Sequence, residues 1–199
     1  MNNWLSKTEL KGELVTLRPM TLEHRDSMVD AAADGKLWEL WYTAVPSEQS
    51  IDTYIKTALD DHSKDKSLPF VVIENATGKL IGSSRYLNAE SKHRRLEIGN
   101  TWYRKSVQRS GINTECKLLL LTHAFESLNA ACVEFRTHWH NLPSRNAIAR
   151  LGAKQDGVLR NHQIDPTGAH RDTVVFSIIE HEWPTVKRSL LYKSGRASQ

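Results

Sequence analysis

The chain has 199 residues, 39% of them hydrophobic and 25% charged, which suffices for one well-packed domain of ordinary composition. Lys and Arg number 27 against 23 Asp and Glu, giving net +4 and a pI near 9.1; this mild excess suits an anionic ligand without implying nucleic acid. Two cysteines without paired spacing argue against a disulfide framework or zinc motif, and no apolar run approaches the roughly 18 residues of a membrane span.

MNNWLSKTEL lacks the charged stretch and apolar core of a signal peptide, so the cytoplasm is the default location. LKGELVTLRP (10–19) alternates apolar and polar residues and reads as one first strand. Thr21 offers a cap for a helix over 21–33, ended by Asp34 and Gly35, and Ser47 a cap for a second helix over 48–63. The aromatic stretch KLWELWYTAVP (36–46) between them takes no clear assignment. PFVVIENATGKLIGSSRYLN (69–88) is a hairpin turning at Asn75-Ala76-Thr77-Gly78. RRLEIGNTWY (94–103) is the next strand, and alternation puts Glu97, Gly99, Thr101 and Tyr103 on one face. A leucine-rich helix at 111–128, a strand at 133–141 and a short helix at 144–153 stopped by Gly152 follow. Cys116 on that first helix and Cys132 before the strand are both expected to be buried. Two last strands, 155–163 and 171–180, flank the turn Asp165-Pro166-Thr167-Gly168. The basic tail at 186–199 is expected to fray, leaving one mixed α/β domain over 1–185 with no repeat or linker.

Gln108, Arg109, Ser110, Gly111, Ile112 and Asn113 form a compact polar run directly before the leucine-rich helix. A helix N-terminus leaves several N–H donors unpaired and carries about half a positive charge. With a glycine to admit close approach and Arg109 as a side-chain cation, this is chemistry for a phosphate or pyrophosphate. By itself such a loop is equally ordinary helix-start chemistry.

The order of neighbours narrows the reading. From the strand at 94–103, through this loop and helix, to the strand ending at Asn141, the chain resembles the GNAT superfamily of acetyl-CoA-dependent N-acetyltransferases. The loop is similar to that family's Q/R-x-x-G-x-G/A pyrophosphate signature, with Asn113 standing where Gly or Ala is usual. GELVTLRPM (12–20), LEIGNTWY (96–103) and NLPSRNAIARLGA (141–153) resemble segments of the subgroup that acetylates ribosomal-protein N-termini at alanine or serine. The resemblance covers about residues 10–183. It implies a single α/β (α+β) domain: a mixed, mostly antiparallel central sheet with splayed middle strands and flanking helices. It also implies acetyl-CoA as cosubstrate, an amine acceptor that is a peptide N-terminus or a small molecule, no metal, and is compatible with a homodimer.

Site roles follow from the same resemblance. Loop amides from Gln108 to Asn113 would cradle the pyrophosphate, and Asn141 and Ser144 would hydrogen-bond the pantetheine end, although each is also an ordinary strand-end or cap residue. Glu97, on the strand flanking the cofactor, would take the amine's proton; pairing with Arg95 or Arg136 is the alternative. Many relatives carry a tyrosine acid four residues before the glycine after the Asn helix; here that position is Ile148, and Ser144 is the substitute. Trp38, Trp41 and Tyr42 overlook the acceptor cleft or form a core cluster, with Arg85 and Tyr86 as further candidates to line the cleft. His138 and His140 share a strand face without a third ligand at metal spacing. A non-catalytic acyl-CoA-binding regulatory module is the competing function, and a basic nucleic-acid binder a third.

Overall fold

The computed structural model describes residues 3–165 and 167–195. Eight strands form one sheet: β1 (Leu10–Lys11), β2 (Val15–Pro19), β3 (Leu68–Glu74), β4 (Leu80–Glu90), β5 (Arg95–Tyr103), β6 (Cys132–His138), β7 (Lys154–Ile164) and β8 (His170–Ile179). Their order is β1-β2-β3-β4-β5-β6-β8-β7, and every neighbouring pair is antiparallel except β5 with β6. The helices are α1 (Arg25–Ala33), α2 (Ile51–Ser63), α3 (Ile112–Thr122), α4 (Leu142–Leu151) and α5 (Trp183–Lys193). This is the mixed sheet with flanking helices that the sequence implies.

Two hydrophobic layers hold the helices to the sheet. On one face Met28, Ile51 and Ile55 of α1 and α2 pack on Val71, Leu80 and Trp102. On the other, α3, α4 and α5 contribute Leu120, Leu121, Ile148, Leu151, Trp183 and Leu190 against Leu17, Phe70, Ile98 and Val133. Burial of large aliphatic side chains is the main stabilising term of such a domain.

The expected single strand at 10–19 is two strands joined by a tight turn. Its cause lies about a hundred residues away, in the carboxylate of Glu115 on α3. That group accepts hydrogen bonds from the N–H of Glu13, Leu14 and Val15 at 2.9, 2.7 and 2.9 Å. A Cβ at Gly12 would stand 2.6 Å from Glu115 Cδ, so the turn needs glycine there. The leucine-rich helix also differs from its expected range. It is α-helical to Thr122 and widens into a π-helical turn over His123–Ser127. Tyr86, from β4, donates its hydroxyl to the Leu120 carbonyl at 2.6 Å beside this turn.

Residues 186–195 correct the expectation of a frayed tail; residues 196–199 lie outside the described set, as does Pro166 of the expected turn. Pro184 at the first turn of α5 suits a helix start, and Val186 and Leu190 are buried. The apolar positions are hidden among polar ones, which is why the basic composition misled. Leu190→Ala is expected to cost about 2–5 kcal/mol in denaturant unfolding, the usual range for an aliphatic core truncation. A loss below about 0.5 kcal/mol, as at a surface site, would mean the helix is not docked.

Candidate functional site

β5 and β6 pair over three registers only, Arg95↔Cys132, Leu96↔Val133 and Glu97↔Glu134. Beyond them the two strands separate, each held on its outer side by an antiparallel partner, β4 or β8. The facing backbone groups of the two separated strands therefore line a cleft. A bulge sharpens the divergence. Ser83 registers with Trp102 but Arg85 with Gly99, which leaves one extra residue in β5, and Asn100 within it takes φ 47°.

The bulge also corrects the expected face assignment. Glu97 and Gly99 lie on the α1–α2 side of the sheet, whereas Thr101 and Tyr103 turn to the α3 side. There Lys117 of α3 donates to Thr101 Oγ1 at 2.6 Å and reaches Ser84 Oγ at 3.3 Å, and the two hydroxyls lie 2.7 Å apart. Lys117 is buried without a carboxylate partner among the described residues, and desolvation pulls its ammonium down to about 8. A lysine depressed below its unfolded value of 10.5 destabilises the charged fold at low pH. Between about 8 and 10.5 the unfolded chain holds a proton that the folded one lacks, so stability rises with pH across that window. The rise from this group is on the order of 3 kcal/mol. Lys117→Met is expected to flatten that part of the stability-versus-pH curve relative to the parent protein. Parallel curves for the two proteins between pH 8 and 10 would contradict it.

The loop before α3 is tied to the end of β5, where Gln108 Nε2 donates to the Tyr103 carbonyl at 2.9 Å. Ser110 Oγ donates to the Val107 carbonyl at 2.7 Å and accepts from Ile112 N at 3.3 Å. Arg109 takes the left-handed conformation, φ 62°, whereas Gly111 at the N-cap is helical at φ −68°. The backbone reversal expected of the glycine thus falls on the arginine. A Cβ at Gly111 would meet only Leu14 Cδ1, at 3.2 Å. Among the described residues no acceptor takes the N–H of Arg109, Ser110, Gly111, Asn113 or Thr114. Arg150 of α4 joins this end of α3, its Nη2 donating to Thr114 Oγ1 at 3.3 Å. Unpaired amides at a helix N-terminus beside two guanidiniums fit a pyrophosphate.

Glu97 stands at the last paired register, 5% exposed. Burial raises its pKa above the usual carboxylate value. A hydrogen bond from Asn88 Nδ2 at 2.8 Å and the Arg136 guanidinium 3.6 Å away oppose that rise. Both sequence alternatives therefore meet in one residue, a buried carboxylate that also has an arginine neighbour. Arg95 pairs instead with Glu134, which Arg136 also grips at 2.8 Å. Glu134, Asn88 and Lys117 were not singled out from the sequence. Only the register Glu97↔Glu134 brings two carboxylates together at the fork, and pairing partners of a parallel strand are not encoded locally.

Further along β6, His138 is buried, and its Nδ1 accepts from the His140 N–H at 3.0 Å, which puts the proton of the neutral ring on Nε2. Burial, then Arg171 and His140, lower its pKa. The strand ends at His138, so His140 does not share a strand face with it as expected. Among the described residues no three His, Cys, Asp or Glu side chains are grouped to hold a metal. Trp41 sits edge-on to the His138 ring at 5.0 Å and to Tyr42 at 5.5 Å. With Trp41 65% and Trp38 36% exposed, this stretch is a rim over the cleft side and not a core cluster. Arg85 is buried on the same side, while Tyr86 points to the opposite face toward Leu120.

Asn141, and not Ser144, caps α4: its Oδ1 accepts the Ser144 N–H at 3.1 Å, leaving its Nδ2 and the Ser144 hydroxyl without partners among the described residues. Ile148 is in the core, so no acid occupies that position. Cys116 is buried, its thiol pushed up to about 12 by desolvation, whereas Cys132 is only half-buried, since it begins β6 at the fork's closed end.

A parallel pair that opens after three residues, with an amide-lined helix start beside the opening, is the arrangement of an acyl-CoA-dependent transferase. Residues 15–154 match the acetyltransferase (GNAT) domain family, and the chain belongs to that family. It is 30% identical over 146 residues to "Putative ribosomal N-acetyltransferase YdaF" of Bacillus subtilis (strain 168), covering 72% of this chain and 78% of that protein. A GCN5-related N-acetyltransferase from Brucella melitensis superposes with TM-score 0.84 at 26% identity, over 96% of this chain and 86% of that one. Mycobacterium smegmatis RimJ in complex with CoA-disulfide shares the fold, with TM-score 0.77 at 23% identity over 96% and 94% of the two chains. The protein is accordingly an acetyl-CoA-dependent N-acetyltransferase, with acetyl-CoA as cosubstrate. No helix among the described residues is long and apolar enough to cross a membrane.

Proposed function

We propose that the chain acetylates the α-amine of a peptide or protein N-terminus, with Glu97 as general base. The observation that carries this is the less firmly paired of two buried carboxylates at the point where β5 and β6 part: Arg95 and Arg136 grip Glu134, whereas Arg136 stands 3.6 Å from Glu97. When bound, acetyl-CoA supplies an acetyl thioester. The N–H groups of Arg109, Ser110, Gly111, Asn113 and Thr114 would hold its pyrophosphate, and Asn141 Nδ2 and the Ser144 hydroxyl would serve the thiol end. The Ser144 hydroxyl would donate to the departing sulfur. β5 backbone N–H groups beyond the fork stabilise charge on the thioester oxygen.

The acceptor arrives as an ammonium and must lose a proton before it attacks. An α-amine, with a pKa of about 8, is already about one-tenth neutral at pH 7, whereas a lysine near 10.4 is neutral to well under one part in a thousand. A carboxylate whose rise from burial is moderated by Asn88 and Arg136 suits the easier task. The name of the Bacillus subtilis relative points the same way. On this face α1 and α2 cover β3 and β4, while beyond β5 the polar row Glu134, Arg136 and Thr173 continues, the row along which a chain behind the reacting amine would run. Trp38, Trp41 and Tyr42 rim that path.

Glu97 accepts a proton only when ionised, so thiol release falls as pH drops through its raised pKa. In Glu97→Gln, kcat is expected to fall about 10²–10⁴-fold, the usual worth of a general base, and the acid limb of the pH profile to disappear. Acetyl-CoA affinity by calorimetry should hold. Full activity in this variant would remove Glu97 from the mechanism, and absence of thiol release from any amine in the parent protein would favour the regulatory module.

A further inference from the structure

Arg85 is a buried guanidinium on the acceptor side of the sheet with no ion pair to a carboxylate among the described residues; Arg171, farther along β8, forms none either but is only half-buried. Arg85 is 3% exposed, and its Nε and Nη2 are shut from solvent with no hydrogen-bond acceptor. Its recorded contact is the ring of Tyr54 on α2, 4.5 Å from Cζ to the centroid. Neighbouring arginines are all compensated: Arg136 by Glu134 and Glu97, Arg95 by Glu134, Arg104 by Asp30 and Asp34. On the face beside the fork, three guanidiniums thus meet two carboxylates, and Arg85 is the one left over. A buried cation without a partner is costly to keep, because desolvation is not repaid by any opposite charge. Stacking on Tyr54 repays only part of it.

The position of Arg85 says what would repay the rest. It registers with Gly99, two pairs along β4 and β5 from Leu87↔Glu97, so Arg85 and Glu97 are diagonal neighbours on one face. Such neighbours lie about 7–8 Å apart at the backbone. The floor between them is Gly99, where a Cβ would stand 2.8 Å from Leu87 Cδ1 and 3.0 Å from Glu97 Oε1. Base and guanidinium therefore rise from one face of the sheet on either side of a residue with no side chain.

We infer that Arg85 reads a carboxylate on the acceptor, so that the amine delivered to Glu97 comes with an acid group a few bonds away. This rests on the reading that Glu97 takes the amine's proton. The planar guanidinium favours a bidentate acceptor, which a carboxylate supplies and a water does not. Two sources would present the group: an acidic side chain close behind a peptide's free α-amine, or the α-carboxylate of a free amino acid.

Matched acceptors separate these outcomes. Peptides with Glu or Gln at positions 2 and 3, and free amino acids beside their α-amides, are compared by thiol release at saturating acetyl-CoA. The parent protein is expected to favour the acid-bearing member of one series by about tenfold or more in kcat/KM. Which series shows the preference names the source. Arg85→Met should bring the two members within about twofold of one another, through KM for the acid acceptor, and Arg85→Lys should keep part of the preference. Melting temperature and acetyl-CoA affinity check that each variant is folded. Should Arg85→Met not fold, the parent and Arg85→Lys comparisons still decide. Equal use of acid and amide by the parent protein would overturn the inference. So would a loss of kcat in Arg85→Met that is the same for both members, which would place Arg85 at the thioester. If no amine releases thiol, the Glu97 reading fails, and calorimetry of the same peptide pairs on the CoA-saturated protein tests Arg85 by itself. Indifference to Glu against Gln there would refute it.

Discussion

The parallel pairing of β5 with β6 stops after Glu97 and Glu134, and the rest of the site depends on its stopping. A sheet that closed fully would bury every ladder donor and acceptor in its own bonds and leave no slot for a ligand. A sheet that opened without support would leave two frayed edges. Here the outer edges of both strands remain in antiparallel ladders, so only the inner edges are free. The bulge at Asn100 bends β5 away, and the buried Lys117 spans the two hydroxyls beneath it. A lysine kept out of water with no carboxylate is a poor choice for stability alone, so its place under the bulge is consistent with holding a shape.

The fork divides two kinds of electrostatics. On the α3 side, charge is handled by backbone: amides at the start of a helix, partly open to solvent, receive an anion without having to desolvate a counter-charge. On the α1–α2 side, charge is handled by side chains, where the buried Glu97 and Glu134 and the more exposed Arg95 and Arg136 compensate one another and Asn88 moderates Glu97. The first environment binds strongly without tuning acidity. The second tunes acidity, because each group there exchanges water for specific neighbours. Having both within reach of one cleft is what couples cofactor binding to proton removal in this fold.

Local signals made much of this legible in the sequence. The hairpin around Asn75–Gly78, the strand with Glu97, the loop before α3 and the Asn141 segment all announce themselves through alternation, turn residues or cap residues. What stayed hidden was set by distant partners. The first strand breaks because Glu115 captures three amides far along the chain, and Thr101 turns over because β5 carries one more residue than β4 across from it. α5 docks through Trp183, Val186 and Leu190, the last two in a stretch whose composition is basic. The importance of Arg85 comes from the partner it lacks, and a missing contact leaves no mark on a sequence.

The most direct measurement is hydrogen exchange followed by mass spectrometry, with and without CoA. If the fork receives the pantetheine arm and the helix start its pyrophosphate, amide exchange slows at residues 98–101 and 109–114 together, with β7 and the α5 segment unchanged. Protection confined to the loop, with the β5 amides beyond Glu97 exchanging as freely as before, would contradict the claim that the open fork is where the thioester lies.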